Sequence, residues 1–325
     1  MGPLEQLLRP EEKINLILRG IYGQKGYENY RMNRFEEAAF YLENKSFLGS
    51  DRFITFEDAN GRLMALKPDV TLSIVKNTRA TREKSEKLWY SEHIFRFSGR
   101  AEGYKELQQT GLEYIGAVGT EETAEVLSLA CESMQVLSDS WVICLSHMGF
   151  VTALLRAWGI DSSLFGQIFS CLKAKSQHDL ENLPLAKEQK EKLKALCSCD
   201  GPIEEALDRA KNLSCSKESD EAVNELQQLV TAMNEEERNH LLLDFSVLSD
   251  TAYYTGILFE GFARQVAGPV LVGGRYDNLL RKLGKENLQG IGFAVNFWEL
   301  EHVIGKNTSV REESMHCSIH SFPKR

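Results

Sequence analysis

Between residues 10 and 22 the apolar side chains recur three and four positions apart: Ile14, Ile17, Leu18, Ile21 and Tyr22 follow Pro10-Glu11-Glu12. That spacing paints one stripe on a helix, and a proline followed by two acids suits a first turn whose free N–H groups favour negative charge. The pattern changes at Phe53-Ile54-Thr55-Phe56. This run and Leu63-Met64-Ala65-Leu66 flank Glu57-Asp58-Ala59-Asn60-Gly61-Arg62, so they read as a hairpin around an Asn-Gly turn signal. Two longer strand-like runs cover residues 88–97 and 107–116. Thr120 is placed to cap a helix that opens with Glu121-Glu122 and carries Val126, Leu129, Ala130, Met134 and Leu137 on one face. Residues 141–145 then read as a strand.

From about residue 150 the character becomes helical, with charged outer faces. Ile203, Ala206, Leu207 and Ala210 form one stripe, and Val223, Leu226, Val230 and Met233 another. Strand-like patterning returns at 241–245, 253–262 and 269–272, and a helix restarts over 276–283. The expected organisation is a discontinuous core of residues 1–150 and 240–310, a helical insertion of 151–239 and a polar C-terminal tail of 311–325. Strands come in hairpin-joined runs and do not alternate with helices, which predicts an α+β fold with an antiparallel sheet and argues against a doubly wound one.

The 325 residues, 42% hydrophobic and 26% charged, suffice for a large core and exclude a disordered class. There is no apolar run of about 18 residues, and Met1-Gly2-Pro3-Leu4-Glu5 lacks the basic-then-apolar order of a secretory signal, so a cytoplasmic protein with no membrane partner is expected. A net charge of -9 repels phosphate backbones and disfavours nucleic acid as a partner. The seven cysteines include no CxxC pair, and Cys197-x-Cys199 is too tight for a zinc knuckle. They read as reduced thiols. His316-Cys317-x-x-His320 lies in the polar tail and reads as a frayed end, so no metal is expected.

The run Leu107-Gln108-Gln109-Thr110-Gly111-Leu112-Glu113-Tyr114-Ile115-Gly116 carries the most chemistry. The strand period of two puts Gln109, Gly111 and Glu113 on one face and Leu112 and Tyr114 on the other. A glycine flanked by an amide and a carboxylate leaves room for a small ligand; a solvated strand face fits the same periodicity. Arg96 would add a cation if residues 88–97 and 107–116 pair as a hairpin.

Ordered blocks then show a resemblance. Ala65-Leu66-Lys67-Pro68-Asp69-Val70-Thr71, Leu88-Trp89-Tyr90, Ile94-Phe95-Arg96-Phe97 and Gln109-Thr110-Gly111-Leu112-Glu113 resemble the histidyl-tRNA synthetase catalytic core in order and spacing, as do Ala252-Tyr253-Tyr254-Thr255-Gly256, Gly273-Gly274-Arg275-Tyr276-Asp277 and Gly292-Phe293-Ala294. The resemblance implies a class II synthetase fold, a six- or seven-stranded antiparallel sheet flanked by helices, usually dimeric. It implies an amino-acid pocket in which Asp69 and Thr71 meet an α-ammonium group, Gln109 and Glu113 hold the ammonium and imidazole ends, and Tyr253, Tyr254 and Tyr276 stand near the imidazole. Arg96 matches the arginine facing the α-phosphate. Core packing for the tyrosines and an internal ion pair for Arg96 stay open, and Arg275 reads as structural.

The departures narrow this. Where the synthetases read Arg-Gly-Leu-Asp, this chain has Ser249-Asp250-Thr251-Ala252; where they place an ATP-binding arginine after Gly-Phe-Ala, it has Glu299. Both lose a phosphate-directed cation, and such electrostatic stabilisation is often the largest catalytic contribution. The proline of the dimer motif is replaced by Asn33, and the sequence leaves no length for an anticodon-binding domain. This pattern resembles the ATP phosphoribosyltransferase regulatory subunits. That family implies a non-catalytic role in the first step of histidine biosynthesis and feedback by histidine, with no cofactor. It also implies a homodimer of this chain within a hetero-octamer with a short-form catalytic subunit, and free histidine as a ligand. The alternative is a synthetase-like ligase that activates an amino acid with ATP for a non-tRNA acceptor.

Overall fold

The computed structural model describes residues 7–48, 52–97, 103–249 and 254–304. Asp250, Thr251 and Ala252 of the Ser249–Ala252 block, Tyr253, and the tail 311–325 with His316, Cys317 and His320 lie outside the described residues. The chain opens with α1 (Pro10–Gln24), which buries Ile14, Leu18 and Tyr22 of the predicted stripe together with Asn15. Its first turn is closed by the Arg9 backbone N–H, which donates to Glu12 Oε2 at 2.8 Å. β1 (Glu28–Asn29), β2 (Phe35–Glu37) and α2 (Ala38–Glu43) follow, then β3 (Thr55–Glu57) and β4 (Leu63–Leu66). The expected hairpin forms, but β4 is the middle of a three-stranded sheet ordered β2-β4-β3. Its connection is wider than a two-residue turn: Asp58 Oδ1 accepts from the backbone N–H groups of Asn60 and Arg62, and Gly61 takes φ 74°.

Next come α3 (Thr71–Asn77), β5 (Glu86–Phe97), β6 (Tyr104–Gly116) and α4 (Thr120–Leu137). Thr120 is the first helical residue of α4, not its cap. Gly119 takes the cap position, and its N–H is met by Glu122 Oε2 at 2.8 Å. β7 (Trp141–His147) runs into α5 (Met148–Ala157). The following segment builds α6 (Phe165–Lys173), α7 (Gln177–Asn182), α8 (Lys187–Cys197), the short β8 (Asp200–Pro202), α9 (Ile203–Leu213), α10 (Lys217–Ala232) and α11 (Glu235–Arg238). The chain then lays down β9 (Leu241–Asp244), β10 (Ile257–Ala263), β11 (Leu271–Arg275), α12 (Asp277–Lys282), β12 (Gln289–Asn296) and α13 (Phe297–Ile304).

The main sheet is α+β in character, as expected, but wider than six or seven strands. Its order is β1-β5-β6-β12-β11-β10-β7-β9-β8. The strands from β5 to β7 are antiparallel neighbours, while β1 joins β5 and β9 joins β7 in parallel. The strand predicted over 253–262 starts only at Ile257, and that predicted over 269–272 runs from Leu271 to Arg275. β12, which the hydropathy pattern did not predict, sits in the middle of the sheet between β6 and β11. β8, from within the helical segment, pairs with β9.

The period-two reading of β6 sorts its side chains between two cores. Leu112 and Tyr114 join the larger cluster with Leu18, Tyr22, Val126 and Met134 of α1 and α4. Ile115 joins the second cluster with Ile74 of α3 and Leu279 and Leu280 of α12. Side chains of α9 and α10 belong to the larger cluster too, so the helical segment and the sheet share one apolar interior.

Candidate functional site

β5 and β6 pair along their whole length, from Glu86 opposite Ile115 to Phe97 opposite Tyr104. This register sets Tyr90 against Gly111, and on the other side β12 sets Asn296 against Gln109, Ala294 against Gly111 and Gly292 against Glu113. The gap expected over Gly111 is therefore not open. A Cβ there would overlap the Phe293 carbonyl oxygen and stand 2.7 Å from the Tyr90 hydroxyl, so the glycine admits a neighbouring ring in place of a ligand.

The ligand-sized space lies beside this point. A cavity of about 430 Å3 is bounded by Asp69 and Thr71 at the start of α3, Tyr90 and Arg96 of β5, Gln109 and Glu113 of β6, Asn296 of β12, and Tyr254 and Tyr276. All of the ligand-binding residues named from sequence that lie among the described residues thus converge on one cavity, although they come from segments more than two hundred positions apart.

Glu113 is the centre of it. The side chain is 2% exposed; Oε1 accepts a hydrogen bond from Thr71 Oγ1 at 2.5 Å, and Oε2 is buried without a hydrogen bond of ordinary geometry. Burial pushes its pKa up to about 8; the hydroxyls of Thr71 and Tyr276 act in the opposite direction, and the Asp69 carboxylate adds to the rise. At neutral pH burial therefore favours the protonated form of this carboxyl. Tyr90, Tyr254 and Tyr276 ring this group, and burial followed by the nearby carboxylates raises the pKa of each phenol, so all three stay neutral donors.

Two residues are more committed than the sequence suggested. Asp69 Oδ1 accepts from the Leu72 N–H at 2.9 Å, capping the first turn of α3, and Oδ2 meets Arg96 Nη2 at 3.2 Å. Arg96 Nε donates to the Pro68 carbonyl at 2.8 Å. The open alternative of an internal ion pair for Arg96 is what the geometry contains, with the guanidinium at the half-exposed mouth of the cavity. Gln109 Nε2 donates to Asn296 Oδ1 at 2.7 Å, which leaves the Gln109 carbonyl as an acceptor. Sequence reasoning missed Tyr90 and Asn296; the glycine at 111 was a signal for the first, since a strand glycine often marks a large cross-strand neighbour. Ser249 and Glu299 are not among the residues bounding the cavity, and the Glu299 carboxylate lies beside Gly268.

Arg275 is structural. Its Nε reaches Asp277 Oδ2 at 2.9 Å and its Nη1 reaches Glu225 Oε1 at 3.2 Å, while Glu225 Oε2 lies 3.1 Å from His147 Nε2. His147 Nδ1 accepts from the Phe150 N–H, which assigns the proton to Nε2 and makes it the donor to Glu225. Through this chain α10 is tied to β7 and β11 on the far side of Tyr254. No group of metal-ligating side chains and no helix long and apolar enough to cross a membrane occurs among the described residues.

The family model described as histidyl-tRNA synthetase matches residues 4–300. The chain is 31% identical over 297 residues to an ATP phosphoribosyltransferase regulatory subunit from Nostoc punctiforme, covering 88% of this chain and 73% of the relative. It is 30% identical to one from Desulforamulus reducens, covering 86% and 70%. Among solved structures, an ATP phosphoribosyltransferase regulatory subunit/histidyl-tRNA synthetase from Bacillus halodurans superposes with a TM-score of 0.78 at 21% identity over 95% of this chain and 86% of that one. A chain of the ATP phosphoribosyl transferase (HisG:HisZ) complex from Thermotoga maritima superposes at 0.68 and 17% identity over 87% and 96%.

Proposed function

Since the chain belongs to the ATP phosphoribosyltransferase regulatory subunits, within the histidyl-tRNA synthetase family, we propose that its central cavity is a seat for free histidine and that occupancy of this seat regulates the enzyme. The chain is a non-catalytic subunit that serves the first step of histidine biosynthesis together with a catalytic phosphoribosyltransferase chain. A homodimer of this chain within a hetero-octamer, acting in the cytoplasm, completes the reading.

The observation that carries the proposal is Glu113: a buried carboxyl with one oxygen held by Thr71, facing a cavity walled by three phenols. An imidazole N–H meeting that carboxyl adds a donor beside the Thr71 and Tyr276 hydroxyls and draws the group toward its ionised form. Thr71 spends its hydroxyl proton on Glu113, so its oxygen faces the cavity as an acceptor, and the Gln109 carbonyl is a second one. These, with the remaining lone pairs of Asp69, suit an α-ammonium group. Calorimetric titration is the test. Histidine should give saturable heat that Glu113→Ala weakens by about 1–3 kcal/mol, the usual cost of leaving a buried polar group unpaired. Wild-type protein that takes up no histidine, alone or with the catalytic chain, would refute the assignment.

A further inference from the structure

Residues 78–85, which link α3 to β5, and the end of α12 form one corner of the molecule. Lys285 Nζ donates to the Thr78 carbonyl at 3.1 Å, and α3 packs on α12 through Ile74, Val75, Leu279 and Leu280. In a chain of net charge -9, this corner concentrates Arg79, Arg82, Lys84, Arg281, Lys282 and Lys285. The first five are exposed, and none of the six makes an ion pair among the described residues. Of the nearby carboxylates, Glu86 is turned inward, where Oε2 accepts from Thr78 Oγ1 at 2.5 Å and from the Arg79 N–H at 3.1 Å. Only Glu83 and Glu286 remain as exposed acids in the two segments.

The corner is also connected to the cavity. Thr71, which holds Glu113, is the first residue of α3, and Tyr276, on the cavity wall, directly precedes α12. Each of these short helices has one end at the cavity and the other at the cationic surface. Nothing in segments 78–86 and 281–286 offers an exposed aromatic ring for base stacking, and Glu83 and Glu286 interrupt the positive field, so the corner suits an acidic protein face better than a nucleic acid.

We propose that this basic corner docks an acidic face of the catalytic phosphoribosyltransferase chain and that α3 and α12 couple the histidine cavity to that contact. The inference rests on the regulatory-subunit reading above. Coupling of this kind is reciprocal: whatever factor histidine imposes on partner affinity, the partner imposes on histidine affinity.

The test uses the full chain and the catalytic chain of the same organism. Association is measured by sedimentation at about 50 and 300 mM salt, a range over which exposed charge contacts are progressively screened. The triple variant Arg79→Glu/Arg82→Glu/Lys282→Glu should associate at least about tenfold more weakly at low salt and with a shallower salt dependence, as expected when complementary charges steer and hold a contact. A control reversing Lys187, Lys211 and Lys217 on the helical segment should bind as wild type does. The milder Arg79→Gln/Arg82→Gln/Lys282→Gln variant gives the same reading should the charge-reversed chain lose its circular dichroism. Wild-type affinity in both corner variants overturns the docking surface while leaving the regulatory reading in place. Failure of the wild-type chains to associate at all overturns both. Corner-dependent capture of an RNA duplex, with catalytic-chain binding unchanged, assigns the patch to nucleic acid and overturns the proposal.

Discussion

Gly292 faces Glu113 directly across the β6–β12 pair, and a side chain on Gly292 would overlap the Glu113 carboxylate. The glycine is what allows a full carboxyl group to lie flat inside the sheet's polar face. Gly292→Ala should therefore displace Glu113 and lower stability by about 1–3 kcal/mol through overpacking. Histidine affinity should fall at least tenfold in the same variant. Urea denaturation and calorimetry measure the two effects separately, and an alanine variant with unchanged affinity would show that Glu113 does not contact the ligand.

Glu113 also gives the protein a defined pH response. Its pKa is about 8 in the folded chain against about 4.5 for an ordinary glutamate, so between those values the folded state holds a proton that the unfolded state has released. Stability contributed by this group is complete at acid pH and is lost as pH rises through 8. Glu113→Gln, neutral throughout, removes that loss. Comparing urea midpoints at pH 6 and pH 9 should show wild type falling further than the variant, and parallel behaviour of the two would contradict the burial argument.

Glu225 titrates with the opposite sense. Burial alone would raise its pKa, but His147 and Arg275 outweigh that and hold it below the usual range, so the stability it contributes is present near neutrality and lost as pH falls through the folded value. Glu225→Gln should cost about 0.5–1 kcal/mol, since a side chain about one third exposed keeps much of its solvent screening. Proteolytic nicking near residues 214–217 should become faster as α10 loses its tie to β7 and β11. Equal cleavage rates would mean the tie is dispensable.

Ser249 and Glu299 predict a catalytic silence. With two phosphate-directed cations absent relative to the synthetases, each worth about 3 kcal/mol or more of transition-state stabilisation, histidine-dependent exchange between ATP and pyrophosphate should be undetectable in the pure chain. Exchange at synthetase-like rates would restore the ligase alternative.

What could be read from the sequence follows from local geometry. The pleat of β6 places Gln109 and Glu113 on one face because backbone alternation needs no tertiary information, and the stripe of α1 is legible for the same reason. Tyr90 filling the space over Gly111, Asn296 bonding Gln109 and the central place of β12 depend on register between segments far apart in the chain, which no local pattern encodes. β12 escaped notice for a further reason: Gly290 and Gly292 break its apolar alternation, and they are present to clear the Tyr276 ring and the Glu113 carboxylate. The capture of Asp69 by Leu72 and Arg96 was likewise invisible, since an Asp before a helix serves equally as cap or ligand.

The position of β12 has a consequence for the newborn chain. Among the described strands it is the last to leave the ribosome, yet it pairs with β6, and the segment between Gly116 and Gln289 must be made first. At roughly 5–20 residues per second that interval is on the order of ten to thirty seconds. Throughout it, one edge of β6 has no neighbour, its N–H and C=O groups open to any extended polypeptide, and the two sides of the cavity have not met. A ligand of the cavity cannot act as a folding template before β12 is made, because the cavity closes only when β12 pairs with β6.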